Sequence, residues 1–293
     1  MKKLGIIVLF VIVAAGLCFW LPKPAEQKTD GQLTVVTSGY VAYTLTRQLA
    51  GDFADIAMLL PPNAEPHSFE PTPGALVAVR QADLFVYISD DFEPWAKDIA
   101  AGAGEKTRVI KAAEAVPPGA DPHIWMDFDN VRFMARTIEA ALAAQLPEQA
   151  ETLRKNLNAL DEQLTALDKA YKTGLSSCQG REVVHIGHLA FERLAQKYGL
   201  TLTALAGTSH DGEHSVRRLA GVVDLIKQHH IKAIFTEETL SPRLAQTVAA
   251  ETGAQILPLY TVEGVSKQDF ENQITYVDFM KRNLENLQRG LKC

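Results

Sequence analysis

From Leu33 onward, short apolar runs alternate with longer stretches whose apolar residues recur every three or four positions. The runs predict strands at Leu33–Thr37, Ile56–Leu60, Leu84–Ile88 and Arg108–Ile110, separated by helices at Val41–Ala50, Pro73–Gln81 and Phe92–Ala101. Strands that alternate with helices in this way form parallel βα units, with the sheet covered on both faces. Asn130–Gln145 reads as an amphipathic helix. After Pro147 a further helical stretch carries Leu153, Leu157, Leu160, Leu164, Leu167 and Tyr171 at helical spacing, with Glu, Lys, Asn, Asp and Gln between them.

Proline suits the first position of a helix. A helix from about Pro147 to Thr173 would be roughly 40 Å long at 1.5 Å per residue, too long for one domain's flank, so it reads as a rigid connector. The alternation then resumes, with strands at Val183–Ile186, Leu200–Leu205, Ala233–Thr236 and Ile256–Leu259. Helices fall at Phe191–Tyr198, Val216–Gln228 and Pro242–Thr252, and one closing helix runs from about Gln268 to Leu291. The expected fold is α/β: an N-terminal βα domain at 33–145, a connecting helix at 146–175 and a C-terminal βα domain at 176–293. Ligands in such sheets gather beyond the carboxyl ends of the strands, which places the expected site in the groove between the domains.

Ahead of this body, Lys2-Lys3 opens an apolar run from Leu4 to Leu21, followed by Pro22-Lys23-Pro24 and a polar spacer to Gln32. Charged start, apolar core and polar spacer are the parts of an export signal peptide, and about 18 apolar residues also reach the length of a membrane anchor. Either reading puts the body in the periplasm or elsewhere outside the cytoplasmic membrane. Cys18 invites lipid attachment, although Leu17 before it is bulkier than such sites prefer.

Composition adds a few exclusions. At 47% hydrophobic and 22% charged, the chain has ample material for two ordinary cores. A net charge of −6 with scattered Lys and Arg excludes a nucleic-acid partner, which would call for a basic stripe. Three cysteines are too few for a disulfide scaffold. Cys178 precedes a strand and Cys293 ends a helix; in a parallel sheet strand starts and helix ends share a face, so a Cys178–Cys293 disulfide is expected in an oxidising compartment.

The candidate chemistry lies in three histidines: His67 in Ala64-Glu65-Pro66-His67-Ser68-Phe69-Glu70-Pro71, His123 in Asp121-Pro122-His123-Ile124-Trp125-Met126-Asp127, and His188 in His185-Ile186-Gly187-His188-Leu189-Ala190-Phe191. Each lies past a predicted strand, and Glu237 ends another, so all four would line the groove. Neutral imidazole is the commonest transition-metal ligand, and three of them suit Zn²⁺, with a carboxylate or water completing a tetrahedron. Mn²⁺ prefers more oxygen. Trp125 is expected to pack the groove wall or to serve as a plain core tryptophan, and Asp127 and Glu70 to accept from the imidazoles' outer nitrogens or to cap helices. His185 and the cluster His210-Asp211-Gly212-Glu213-His214 are either auxiliary metal contacts or ordinary solvated polar residues.

Together, Pro61-Pro62-Asn63-Ala64-Glu65-Pro66-His67, Asp121-Pro122-His123-Ile124-Trp125-Met126, His188-Leu189-Ala190-Phe191 with Tyr198-Gly199-Leu200, and Ile231-Lys232-Ala233-Ile234-Phe235-Thr236-Glu237 resemble the metal-binding subunit of bacterial ABC-type zinc or manganese importers, and the likeness runs from Leu33 to the end. The resemblance implies that His67, His123 and His188 are ligands, that the long helix limits how far the domains swing, and that the ion passes to an ABC permease driven by a separate ATPase. Three departures stand out. Leu259-Tyr260-Thr261-Val262-Glu263-Gly264 has no aspartate where family members often carry a ligand, leaving Glu237, Glu263 or water as the fourth. No histidine-rich loop occupies Val116–Ala120, and Arg193 stands where relatives tend to have an aromatic. A monomeric solute-binding protein without catalytic activity is expected. The alternatives are an exported zinc hydrolase, which would need a general base such as Glu237 or Glu263 and has no His-Glu-x-x-His helix, and a surface adhesin.

Overall fold

Period-two burial sets the layers. In β1 (Leu33–Thr37), Leu33 and Val35 face a central hydrophobic cluster while Val36 faces a separate outer one, as side chains of a strand alternate between sheet faces. The computed structural model describes residues 32–117, 119–207, 216–237 and 241–293. The leader with Cys18, and the His210 to His214 cluster, lie outside them.

β1 is followed by α1 (Tyr40–Ala50), β2 (Ala54–Met58), α2 (Pro73–Gln81), β3 (Leu84–Tyr87), α3 (Pro94–Ala101) and β4 (Arg108–Lys111). The strands are parallel in the order β2-β1-β3-β4. After α4 (Phe128–Gln145) and the 27-residue α5 (Ala150–Ser176) come β5 (Glu182–Ile186), α6 (Glu192–Lys197), β6 (Thr201–Ala204), α7 (Val216–Gln228), β7 (Ala233–Thr236), α8 (Arg243–Thr252) and β8 (Gln255–Pro258). The second sheet repeats the first order, β6-β5-β7-β8, again parallel. In each sheet the connections diverge from the inner strand pair, which opens a crevice at the carboxyl ends.

Three elements differ from expectation. The second strand begins at Ala54 instead of Ile56, because β2 is an edge strand whose Asp55 and Ala57 face solvent and weaken its apolar signal. Pairing nevertheless continues past it, with Leu59 N and Leu60 N donating to Thr37 O and Ser38 O at 2.9 Å. The connecting helix opens with a short 3₁₀ turn over Pro147–Gln149 before α5 proper. The closing helix is two helices, α9 (Lys267–Glu271) and α10 (Tyr276–Leu291), with Gln273 in the left-handed region at φ 57° between them. Thr275 restarts the helix through a capping box with Asp278.

One hydrophobic cluster runs from Leu45 of α1 through Phe128 of α4, Leu164 and Tyr171 of α5, to Phe235 of β7 and Tyr276 and Leu287 of α10. Both sheets therefore share a core, and Leu33–Cys293 form one compact unit. The outer faces carry smaller clusters, one of Val36, Phe85 and Trp95 and one of Val184, Ile234 and Val248. α5 buries its leucine stripe against α1, α4 and α10, and Tyr171 Oη donates to Met280 O at 2.7 Å. At the strand-start end, Cys178 and Cys293 form the expected disulfide, beside Gly180 N donating to Leu291 O at 3.0 Å. No helix among the described residues is long and apolar enough to cross a membrane.

Candidate metal site

The loops that leave β2, β4, β5 and β8 converge beyond the carboxyl ends of the two sheets. His67, His123 and His188 meet there with Glu263, each offering one donor atom, and these atoms all lie within 4.8 Å of one another. His188 Nε2 is 3.0 Å from His123 Nε2. Glu263 Oε2 lies 3.3 Å from His67 Nε2 and 3.6 Å from His123 Nε2, and Oε1 lies 3.2 Å from His188 Nε2. Four donors arranged tetrahedrally at about 2.1 Å from a zinc ion sit about 3.4 Å from each other, so the spacing fits one ion of that size. The donor set of three imidazoles and a carboxylate matches that metal's chemistry.

Each donor is aimed by its neighbours. Asp121 Oδ1 accepts from His123 N at 3.0 Å and pairs with His123 Nδ1 at 2.8 Å, which holds the proton on Nδ1 and leaves Nε2 bare for a metal. Glu237 Oε1 does the same for His188, at 2.8 Å from its N and 2.9 Å from its Nδ1. A β-carbon on Gly187 would stand 2.0 Å from that oxygen, so only glycine lets the carboxylate in. His185 is fully buried and uses Nδ1 to hold His188 O at 2.9 Å. It supports the turn that presents His188 and lies outside the donor group.

The loop carrying Glu263 belongs to the second sheet but is tied to the first half of the chain. Asn63 N donates to Val265 O at 2.8 Å, and Trp125 Nε1 donates to Thr261 O at 2.7 Å. Just before Glu263, Val262 adopts φ 63° while fully buried. A β-branched residue in the left-handed region is strained, at a cost of order 1–2 kcal/mol, and the turn it makes points the next carboxylate inward. Trp125, fully buried in the central cluster, packs on His123 and, edge to face, on Phe92 at 4.4 Å, so it is both a core residue and a dry backing for that imidazole.

Burial and charge set the protonation of the group. Burial alone would lower the pKa of His188, but Glu263 and Glu237 outweigh it and raise it to about 10. Burial would raise Glu263, yet His188, His67 and His123 together hold it well below the usual carboxylate range. The ion-free pocket is thus a compact imidazolium–carboxylate cluster. His67 is the donor at its edge, with 11% of its side chain in solvent.

Of the two roles expected for Asp127, the structure shows the helix cap: it accepts from Asp129 N at the start of α4 and pairs with Lys197, while Asp121, two residues before His123, holds that imidazole. Glu70 is exposed at the surface. Sequence reasoning also passed over Glu93, a buried acid behind Phe92 that accepts from Ile88 N at 2.8 Å. Burial lifts its carboxyl to about 7. Among the described residues this is the one group of three or more His, Cys, Asp or Glu side chains placed to hold a metal.

Residues 35–290 match the family model described as zinc-uptake complex component A, periplasmic, or ZnuA. The chain belongs to the ZnuA family. It is similar to the high-affinity zinc uptake system protein ZnuA of Bacillus subtilis, 33% identical over 303 residues that cover 96% of this chain and 94% of that one. It is also similar to the zinc-binding lipoprotein AdcA of Streptococcus pneumoniae, 32% identical over 99% of this chain, which spans only 61% of AdcA's length. The crystal structure of the Zn(II)-bound ZnuA-like domain of that AdcA superposes with a TM-score of 0.79 at 34% identity, covering 90% of this chain and 100% of that domain. The ZnuA family is one of solute-binding components and not of enzymes.

Proposed function

We propose that this protein captures a Zn²⁺ ion outside the cytoplasmic membrane and hands it to an ABC-type permease energised by a separate ATPase, acting as a monomer that its N-terminal segment exports or anchors. The observation that carries this reading is the convergence of His67, His123, His188 and Glu263 on a volume the size of one ion. In it Glu263 is the fourth ligand and Glu237 the orienting partner of His188. Relatives named for zinc binding and zinc uptake support the choice of metal, as do three nitrogen donors against the oxygen-rich set that Mn²⁺ prefers. The repeated strand order supports two lobes, 33–145 and 176–293, spanned by the helix at 146–175, which would allow only small relative motion.

The test is metal analysis of protein purified without chelator, followed by competition among Zn²⁺, Mn²⁺ and Fe²⁺. One zinc per chain, lost in His67→Ala, is the expected result. Displacement of zinc by equimolar Mn²⁺, or unchanged zinc affinity in His67→Ala, would overturn the reading.

A further inference from the structure

Four residues after His188 begins α6, six residues long, and two of its side chains reach across to residues 121–129 on either side of His123. Arg193 donates through Nε and Nη2 to Asp121 O at 3.2 and 2.7 Å, and its Nε lies 3.5 Å from Asp121 Oδ2. That oxygen is buried and has no hydrogen-bond partner among the described residues, so the guanidinium is the charge that compensates it. The other oxygen of the same carboxylate holds His123 Nδ1. Gly119 makes room for the guanidinium: a β-carbon there would stand 2.6 Å from Nη2. One turn along α6, Lys197 Nζ pairs with Asp127 Oδ1 at 2.5 Å and Asp129 Oδ2 at 2.8 Å, on the far side of His123.

Resting on the zinc-capture reading above, we propose that α6 is a two-cation clasp that fixes the spacing of His123 and His188 and thereby sets how fast the ion is released, with Arg193 a positioning residue acting on His123 through Asp121. The physical reason is that a carboxylate aims an imidazole only as well as it is itself held. Asp121 is 9% exposed and so has little water to replace a lost cation. With Arg193 removed it can rotate to find solvent and take the His123 ring with it, and the two Nε2 atoms no longer meet at the ion. Lys197 acts on the opposite flank through the cap of α4, independently of Asp121.

The experiment is release of Zn²⁺ from loaded protein into a chelator, followed by stopped flow at several chelator concentrations and extrapolated to zero chelator. Arg193→Gln should release zinc at least tenfold faster, in the range seen when a ligand's orienting partner is lost, while the melting temperature of the ion-free protein changes little. Arg193→Lys should give an intermediate rate. Because Arg193 reaches Asp121 at its carboxylate as well as at its main-chain oxygen, the double variant Arg193→Gln/Asp121→Asn should release zinc more slowly than the product of the two single effects, whereas the effects of Lys197→Gln and Asp121→Asn should multiply. A release rate for Arg193→Gln within twofold of the parent, multiplicative effects of Arg193→Gln and Asp121→Asn, or equal destabilisation of ion-free and loaded protein would each overturn the clasp. Failure of the parent protein itself to bind zinc would instead sink the capture reading.

Discussion

Glu237 Oε1 touches His188 twice, at its main-chain nitrogen and at Nδ1, and so fixes both the loop and the ring of that residue. Of the two carboxylates left open by the sequence as a fourth ligand, Glu237 thus sits on the reverse side of the imidazole, while Glu263 occupies the front. The two acids have separable duties, and their variants should differ.

Glu263→Gln removes a charge and a strong donor from the centre of the group and should weaken zinc binding by several orders of magnitude. Glu237→Gln should cost about 10–100-fold, the usual effect of losing a ligand's outer partner. Gly187→Ala should mimic it by displacing Glu237. Competition titrations against a zinc chelator rank the three, and a weaker effect for Glu263→Gln than for Glu237→Gln would reverse the assignment.

On the proposed ligand set, metal and proton compete for His188. Its pKa in the ion-free protein is raised from 6.5 to about 10, so between those limits the folded site carries a proton that zinc must expel. Affinity should therefore rise with pH across this window, by about tenfold per unit for one proton, and fall as acid is added. The same proton stabilises the ion-free fold fully below about pH 6.5, and that contribution is lost as pH climbs through about 10. Calorimetry in buffers of different ionisation enthalpy should count close to one proton released per ion at pH 8; a count of zero would contradict this.

The disulfide closes a separation of 115 residues at the end of the sheet remote from the metal. A loop near that length stabilises by about 2–5 kcal/mol. The pair Cys178→Ser/Cys293→Ser should lower the unfolding midpoint in urea by a corresponding amount and leave zinc affinity within about threefold. A matching loss of affinity would show that the two ends are coupled.

Thr275 caps α10 from both directions with Asp278. Thr275→Ala should cost about 1 kcal/mol, measurable by urea unfolding, with no change in metal binding.

Much of the fold was legible because strands buried on both faces, such as Leu84 to Tyr87, read as unbroken apolar runs, and α5 advertises itself by its leucine spacing. The break before Thr275 was hidden because apolar residues keep helical spacing across it; the Thr-x-x-Asp box was the signal to heed. The three imidazoles could be found because each follows a strand. Whether Glu237 or Glu263 faces the ion depends on the path of a loop, on Val262 in the left-handed region and on Asn63 holding Val265. No periodicity encodes those features. Asp121 escaped notice beside Asp127, although its position two residues before His123 suits a short reach back to the ring.

Of the four grouped donors, His67 is the most exposed to solvent. An incoming acceptor must therefore approach from that flank, and zinc tolerates a fifth donor while it changes hands. With these four as ligands, exchange would proceed by association: the new donor would join before an old one departs, and transfer would speed up with acceptor concentration instead of waiting on spontaneous escape.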